Sequence, residues 1–308
     1  MLIAAVLLAA CSAPRSATAD PASTAAATEQ TVMLTTAAGR KVSVRVLLPQ
    51  HAGRSVPLIL FSHGANLGTH QYDALFQPWR DQGYAIAAPL HTDSEQHPQR
   101  DRYPLAQSLA LRIEDYRLLL DAARQGRFGL ALREAPVIAA GHSYGALIAM
   151  LAGGATATGM KDGQPVRRQI AGPRPAAVLA LSPPGNFGDR MTDDNWATVT
   201  VPFLLVTGTA DRVPPIAERW TQHLDSYHAA PLGLGRVLIY DRADHYLNGA
   251  IGRLRQGGAP RAAMLAHLAR SSDAFMQAAV RQGLRGVEAW QPAPFPGLAH
   301  RGFDEGEQ

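Results

Sequence analysis

The stretch Ala139-Ala140-Gly141-His142-Ser143-Tyr144-Gly145-Ala146-Leu147 decides how this chain is read. It carries the pattern Gly-x-Ser-x-Gly, with Ser143 between Gly141 and Gly145. Residues 135–141 are an apolar run of strand length, and the residues from 146 onward predict a helix. A serine exposed on a sharp strand-to-helix turn needs small neighbours, because larger side chains would collide with the turn itself. With 28 glycines in the chain the pattern alone decides little. The rest of the sequence has to supply what a nucleophilic serine requires.

A serine hydroxyl attacks poorly near neutral pH unless a base stands beside it. His245 is the candidate, in Asp241-Arg-Ala-Asp-His-Tyr-Leu-Asn248 directly after a strand expected over 235–240. The base should lie late in the chain, and of the histidines there it alone falls on a loop at a strand's C-terminal end, where parallel sheets place their sites. His267 lies in a helical stretch, His300 in the tail, and His223 and His228 on or just after a helix expected over 215–227. The acid should come between serine and histidine in sequence. Asp211 fits best, directly after the strand expected over 201–207, with Asp189, Asp193 and Asp194 as rivals. Its task is to fix the imidazole tautomer and stabilise imidazolium. Asp244 is poorly placed for that, since adjacent side chains on extended backbone diverge.

Acyl transfer also needs two backbone N–H groups aimed at the developing oxyanion. Tyr144, which follows the serine, supplies one; Ala65, with Asn66 close behind, supplies the other from the loop in Phe61-Ser-His-Gly-Ala-Asn-Leu-Gly68. His63 reads as a structural hydrogen-bonder. Leu67, Pro184, Phe187, Trp196 and Tyr246, with Asn66 and Tyr144, are the candidate pocket side chains. For Phe187 and Trp196, packing under a cap stays open as an alternative.

Outward from this centre, strands are expected at 31–36, 41–48, 57–62, 84–89, 135–141, 176–182, 201–207 and 235–240. Helices are expected at 72–82, 104–125, from 146, 215–227 and 259–282. The alternation predicts an α/β fold: a mostly parallel central sheet of about eight strands with helices on both faces. The stretches 152–175 and 183–199 read as small insertions above its C-terminal edge. The domain is expected over 31–285, with an irregular, Pro-rich tail over 286–308. Composition, 46% apolar and 18% charged, is that of a globular protein. The net charge of +4 is spread along the chain without a basic stripe, which argues against a nucleic-acid partner. Residues 1–10 are apolar but too few to span a bilayer, and they lead to Cys11, the single cysteine. Residues 11–30, rich in Ala, Ser, Thr and Pro beyond that cysteine, cannot bury enough surface to order themselves and read as a tether.

Taken together, Gly141-His-Ser-Tyr-Gly145, His63-Gly64, Asp211 and His245 resemble the α/β-hydrolase superfamily over about residues 31–283. Phe61-Ser-His-Gly64 and Arg112-Ile-Glu-Asp115 narrow the resemblance to the dienelactone-hydrolase-like group. That group is similar to chlorophyllases, platelet-activating-factor acetylhydrolases and bacterial polyester-degrading cutinases. The resemblance implies a Ser-His-Asp carboxylic-ester hydrolase that uses neither metal nor organic cofactor, acting on a small or medium ester. True dienelactone hydrolases carry cysteine where this chain has Ser143. The aromatic-plus-Thr oxyanion loop of the polyester cutinases is absent from Gly64-Ala-Asn-Leu-Gly68. A lipase or polyester depolymerase therefore stays open beside an esterase, as does a non-catalytic binding protein on the same fold. Leu8-Ala9-Ala10-Cys11 resembles a bacterial lipoprotein signal. That resemblance implies cleavage after residue 10, lipidation of Cys11 and membrane attachment on the periplasmic side, with Ser12 favouring the outer membrane.

Overall fold

In the segment Leu58–Ser62 every residue is buried, and the side chains divide by parity. Leu58 and Leu60 enter one apolar cluster, with Ile113, Leu119, Leu147 and Ile148. Ile59 and Phe61 enter another, with Phe76, Trp79, Leu268 and Phe275. A strand apolar on both faces must have helices on both sides, because alternate residues point to opposite faces. This strand, β3, lies in a computed structural model that describes residues 29–49, 56–129, 132–252 and 259–301. Cys11 and the expected signal segment lie outside the described residues.

The strands are β1 (Glu29–Thr35), β2 (Lys41–Leu47), β3, β4 (Ala85–Pro89), β5 (Val137–His142), β6 (Ala157–Lys161), β7 (Gln164–Arg168), β8 (Ala177–Leu181), β9 (Phe203–Gly208), β10 (Gly235–Tyr240) and β11 (Leu298–Arg301). Nine of them form one sheet in the order β1-β2-β4-β3-β5-β8-β9-β10-β11, and β6-β7 is a separate hairpin. From β4 to β10 neighbours are parallel, whereas β1, β2 and β11 add antiparallel edges. The helices are α1 (Asp73–Asp81), α2 (Ser108–Arg124), α3 (Tyr144–Ala152), α4 (Asp193–Trp196), α5 (Asp225–Ala229), α6 (Ala259–Gln282) and α7 (Leu284–Glu288). Buried residues of α2 and α3 belong to the first cluster, and those of α1 and α6 to the second. No described helix is long and apolar enough to cross a membrane.

The mostly parallel α/β sheet matches the expected architecture. Three local expectations need correction. The tail is not irregular throughout: α7 packs Val287 into the core, and β11 pairs with β10, making a ninth strand. An edge strand gains its place through main-chain hydrogen bonds, so a short segment after a Pro-rich stretch can join without apolar periodicity. The stretch 215–227 is not one helix. Val213 pairs with Ala217 in a tight turn and Arg219 is extended (φ −123°, ψ 139°), leaving only a 3-10 turn over Trp220–Leu224 and the short α5. Finally, β1 starts at Glu29, inside the stretch expected to be a tether.

Sheet order places the site. From β3 the chain moves outward to β4, then crosses back so that β5 lies on the other side of β3. Ser62 at the end of β3 is in register with Gly141 near the end of β5. Chain direction away from β3 reverses here, and a crevice opens beyond the strands' C-terminal ends.

Candidate active site

Ser143 sits between β5 and α3 with φ 54° and ψ −119°, a conformation costly for a residue with a Cβ. Its N–H donates to the Leu181 carbonyl of β8 (2.8 Å), which ties the turn to the neighbouring strand. The flanking glycines are required by space. A Cβ on Gly141 would overlap the Gly145 carbonyl, and one on Gly145 would overlap that of Ser62. The strained turn lifts Ser143, half-buried, into the crevice.

Asp211 follows β9 and His245 follows β10, neighbouring parallel strands that bring the two residues together from 34 positions apart. His245 Nδ1 lies 2.7 Å from Asp211 Oδ1. Asp211 Oδ2 accepts from Thr207 Oγ1 (2.8 Å). Burial works against the Asp211 anion, yet His223 and His245 hold its carboxyl far below the usual range. Asp244 shapes the loop around His245 by accepting the N–H groups of Tyr246 (3.0 Å) and Asn248 (2.8 Å). The rivals Asp189, Asp193 and Asp194 are exposed and do not line the crevice. Ser143 and His245 face the same cavity but make no hydrogen bond here, among the described residues. Nucleophile–base contacts are commonly loose until substrate binds.

The residue that sequence reasoning missed is His223, whose Nε2 lies 2.9 Å from the same Asp211 oxygen. It lies in the short turn that replaces the expected helix, so its direction could not be read from helical spacing. Asp211, His223 and His245 bring potential metal-ligating atoms within 4.8 Å of one another. Asp211 Oδ1 and His245 Nδ1 are already joined by a hydrogen bond, so a cation would have to displace that contact.

On the other side of Ser143 lies the loop expected to stabilise an oxyanion, Gly64 to Gly68. Among the described residues the N–H groups of Ala65 and Tyr144 have no main-chain acceptor, and both residues line the crevice. Asn66, also at the crevice, has positive φ (64°), and its side chain accepts from Arg100 (2.8 Å). Beneath the loop Arg112 is wholly buried. Its guanidinium grips Asp93 through two bonds of 2.8 Å and donates to the carbonyls of His63 (2.5 Å) and Gly64 (3.2 Å). It also lies 4.5 Å from the centre of the Tyr144 ring. One cation thus touches both segments that offer the free N–H groups. His63 accepts the His91 N–H on Nε2 (3.0 Å), which leaves its proton on Nδ1 to donate to the Gly64 carbonyl (2.7 Å). Burial and Arg112 keep His63 and His91 neutral, well below the ordinary histidine range.

A chain of hydrogen bonds joins the two sides. Gly64 N–H donates to Tyr72 Oη (2.8 Å), leaving the Tyr72 hydroxyl proton for His142 Nδ1 (3.0 Å). His142 Nε2–H then donates to the His245 carbonyl (2.8 Å). Burial and the nearby His245 push His142 down to about 3, so it is the neutral tautomer this chain requires.

A cavity of about 490 Å³ opens above these groups. Leu67, Pro184, Phe187 and Tyr246 line it as expected from sequence. Trp196 does not: it is wholly buried in the apolar core, with Nε1 donating to Asn186 Oδ1 (2.9 Å). The alternative of packing under a cap is the correct one for this residue. Lining residues that the sequence did not single out include Leu105, Leu109 and Leu147, and Met160 from the β6-β7 hairpin.

No protein-family model matches the chain, and no curated protein matches it in sequence. Solved structures do resemble it. Dienelactone hydrolase from Anabaena variabilis ATCC 29413 is 16% identical, with TM-score 0.52 over 80% of this chain and 95% of that one. A serine hydrolase without lid from Xanthomonas campestris is 14% identical, with TM-score 0.51 over 82% and 94%. Est1E from Butyrivibrio proteoclasticus is 14% identical, with TM-score 0.54 over 82% and 99%. The chain has the α/β-hydrolase fold.

Proposed function

We propose that the protein is a serine carboxylic-ester hydrolase. The observation that carries this reading is the convergence on one cavity of a strained serine, an Asp-bound histidine and two free N–H groups. His245 takes the Ser143 proton as Oγ attacks the ester carbonyl, and the Ala65 and Tyr144 amides stabilise the oxyanion. The alcohol leaves with the proton from His245. Water, activated by the same histidine, then cleaves the acyl-enzyme. Asp211 stays ionised and stabilises the imidazolium at each step. The esterase and dienelactone-hydrolase names of the structural neighbours agree with this chemistry.

A fluorophosphonate should modify the protein at Ser143, located by mass spectrometry, and Ser143→Ala should abolish both labelling and ester hydrolysis. An unlabelled Ser143 would sink the reading and favour a binding role for the fold. A lipase or polyester depolymerase is a second reading, favoured by the cavity's surroundings. Leu105 (63% exposed), Met160 (52%), Ile216 (46%) and Tyr246 (42%) are large apolar side chains, open to solvent, that line this one cavity. Rates that rise with acyl length and jump above the substrate's solubility limit would select it over a short-chain esterase. We also propose export and anchoring through lipidated Cys11, supported by the Leu8-Ala9-Ala10-Cys11 pattern. A Cys11→Ser protein that still partitions into membranes would defeat that assignment.

A further inference from the structure

His223 is the member of the acid–base cluster that acyl transfer does not require. Its ring, 1% exposed, lies between two oxygens. Nδ1 is 2.6 Å from the Pro183 carbonyl, and Nε2 is 2.9 Å from Asp211 Oδ1. A carbonyl has no proton to give. The Asp211 carboxylate has none either, since it already accepts from His245 and Thr207. A neutral imidazole would set an unprotonated nitrogen 2.6 or 2.9 Å from one of these oxygens, with neither a proton nor a positive charge to hold the two together. The short separations on both sides fit a ring protonated at both nitrogens, a cation. The Nε2 approach falls off the hydrogen-bond axis, so the contact with Asp211 is one of charge more than of a directed bond.

We propose that His223 is a standing imidazolium and a positioning residue, sharing the Asp211 carboxylate with His245 and thereby weakening the affinity of His245 for a proton. The proposal deepens the reading of Ser143, Asp211 and His245 as a catalytic triad, and rests on it. The His223 and His245 ring centres are 5.7 Å apart, close enough for one cation to oppose a second. The titratable groups facing His223 are Asp211 from the loop after β9, His245 from the loop after β10, His142 at the end of β5 and Asp225 on the following turn. Of these only Asp211 and Asp225 can be anionic, and Asp225 is drawn off to accept the Asn186 N–H (2.8 Å). Burial opposes charge on His223, but Asp211 and the Pro183 carbonyl outweigh it and raise its proton affinity above that of an ordinary histidine. The charge on His223 opposes a second positive charge on His245. His223 thus widens the working range on its acid side.

The test is a histidine ¹⁵N NMR titration of the intact protein and of His223→Gln, with the pH profile of kcat/KM beside it. In the unaltered protein both ring nitrogens of His223 should show protonated-type shifts through pH 7. In His223→Gln the titration midpoint of His245, and the acid limb of kcat/KM, should move upward by about one pH unit. One unprotonated His223 nitrogen at pH 7 would overturn the proposal without needing any variant to fold. So would a His245 midpoint unmoved in His223→Gln. If the protein hydrolyses no ester, the functional reading fails, while the nitrogen shifts and the His245 midpoint still decide the charge of His223.

Discussion

Two buried polar clusters flank Ser143, and they handle charge in opposite ways. Under the loop from Gly64 to Gly68, Arg112 and Asp93 form a permanent ion pair, and His63 and His91 beside it are kept neutral. Arg40 pairs with Asp115 (2.6 Å) at the outer end of the same cluster. Across the crevice, Asp211 meets no arginine among the described residues and is balanced by His223 and His245. Arginine does not release its proton at any working pH, so the Arg112–Asp93 pair at the centre of the first cluster is fixed in charge and shape. A histidine can titrate near neutrality, so the second can move a proton. The comparison separates scaffolding from chemistry among residues of the same types and similar burial.

Altering Asp211 should produce the largest effect. Asp211→Asn should lower kcat by about 10⁴-fold, because an amide no longer holds His245 in the required tautomer. Steady-state rates on a soluble ester measure this. A loss below tenfold would mean that the second cluster is not the one that moves protons. Arg112→Met should instead act first on the fold. It leaves Asp93 buried without its partner, and urea unfolding should show a loss of about 3–5 kcal/mol, part of which Asp93→Asn in the same protein restores. Unchanged stability there would remove the distinction between the clusters.

Acid should probe both clusters together. His63, His91 and His142 are neutral in the fold and protonate below pH 6.5 only in the unfolded chain. Protons therefore favour unfolding, and stability falls as pH falls. Asp115, pushed up to about 6 by burial against the pull of Arg40, takes up a proton in the fold and offsets one of the three. The net of two protons gives a slope of about 3 kcal/mol per pH unit between pH 5.5 and 4.5, measurable by urea midpoints across that window. The smallest effect should come from Tyr72→Phe, which cuts the hydrogen-bond chain between the clusters. It strands the Gly64 N–H and His142 Nδ1, at about 1–3 kcal/mol, and thermal unfolding measures it.

The fold was legible because each central strand is an uninterrupted apolar run bounded by turn residues, as at 58–62 and 203–208. Ser143 was legible because its conformation forces glycine at two fixed positions, a constraint that shows in a single sequence. The pairing of Asp211 with His245 could be anticipated because both follow adjacent parallel strands. His223 could not. Its contact depends on the bend at Arg219 and on the Pro183 carbonyl 40 residues away, and neither leaves a periodic trace. Trp196 escaped for a related reason: whether an indole in an insertion faces a cavity or the core depends on where its N–H finds an acceptor, here Asn186. Arg112 drew notice only as part of a family-like motif, since a guanidinium's four partners cannot be deduced from helix spacing.

Strand β11 has a consequence in time. A chain made from its N-terminus offers Ser143 first, then Asp211 and His245, and Leu298–Arg301 only afterwards. Synthesis runs at about 5–20 residues per second, so β10 waits several seconds with its outer main-chain groups unpaired. Tyr240, which ends β10 and begins the approach to His245, pairs with Leu298. The loop that carries the candidate base therefore leaves a strand whose outer neighbour is one of the last parts of the sheet to be made.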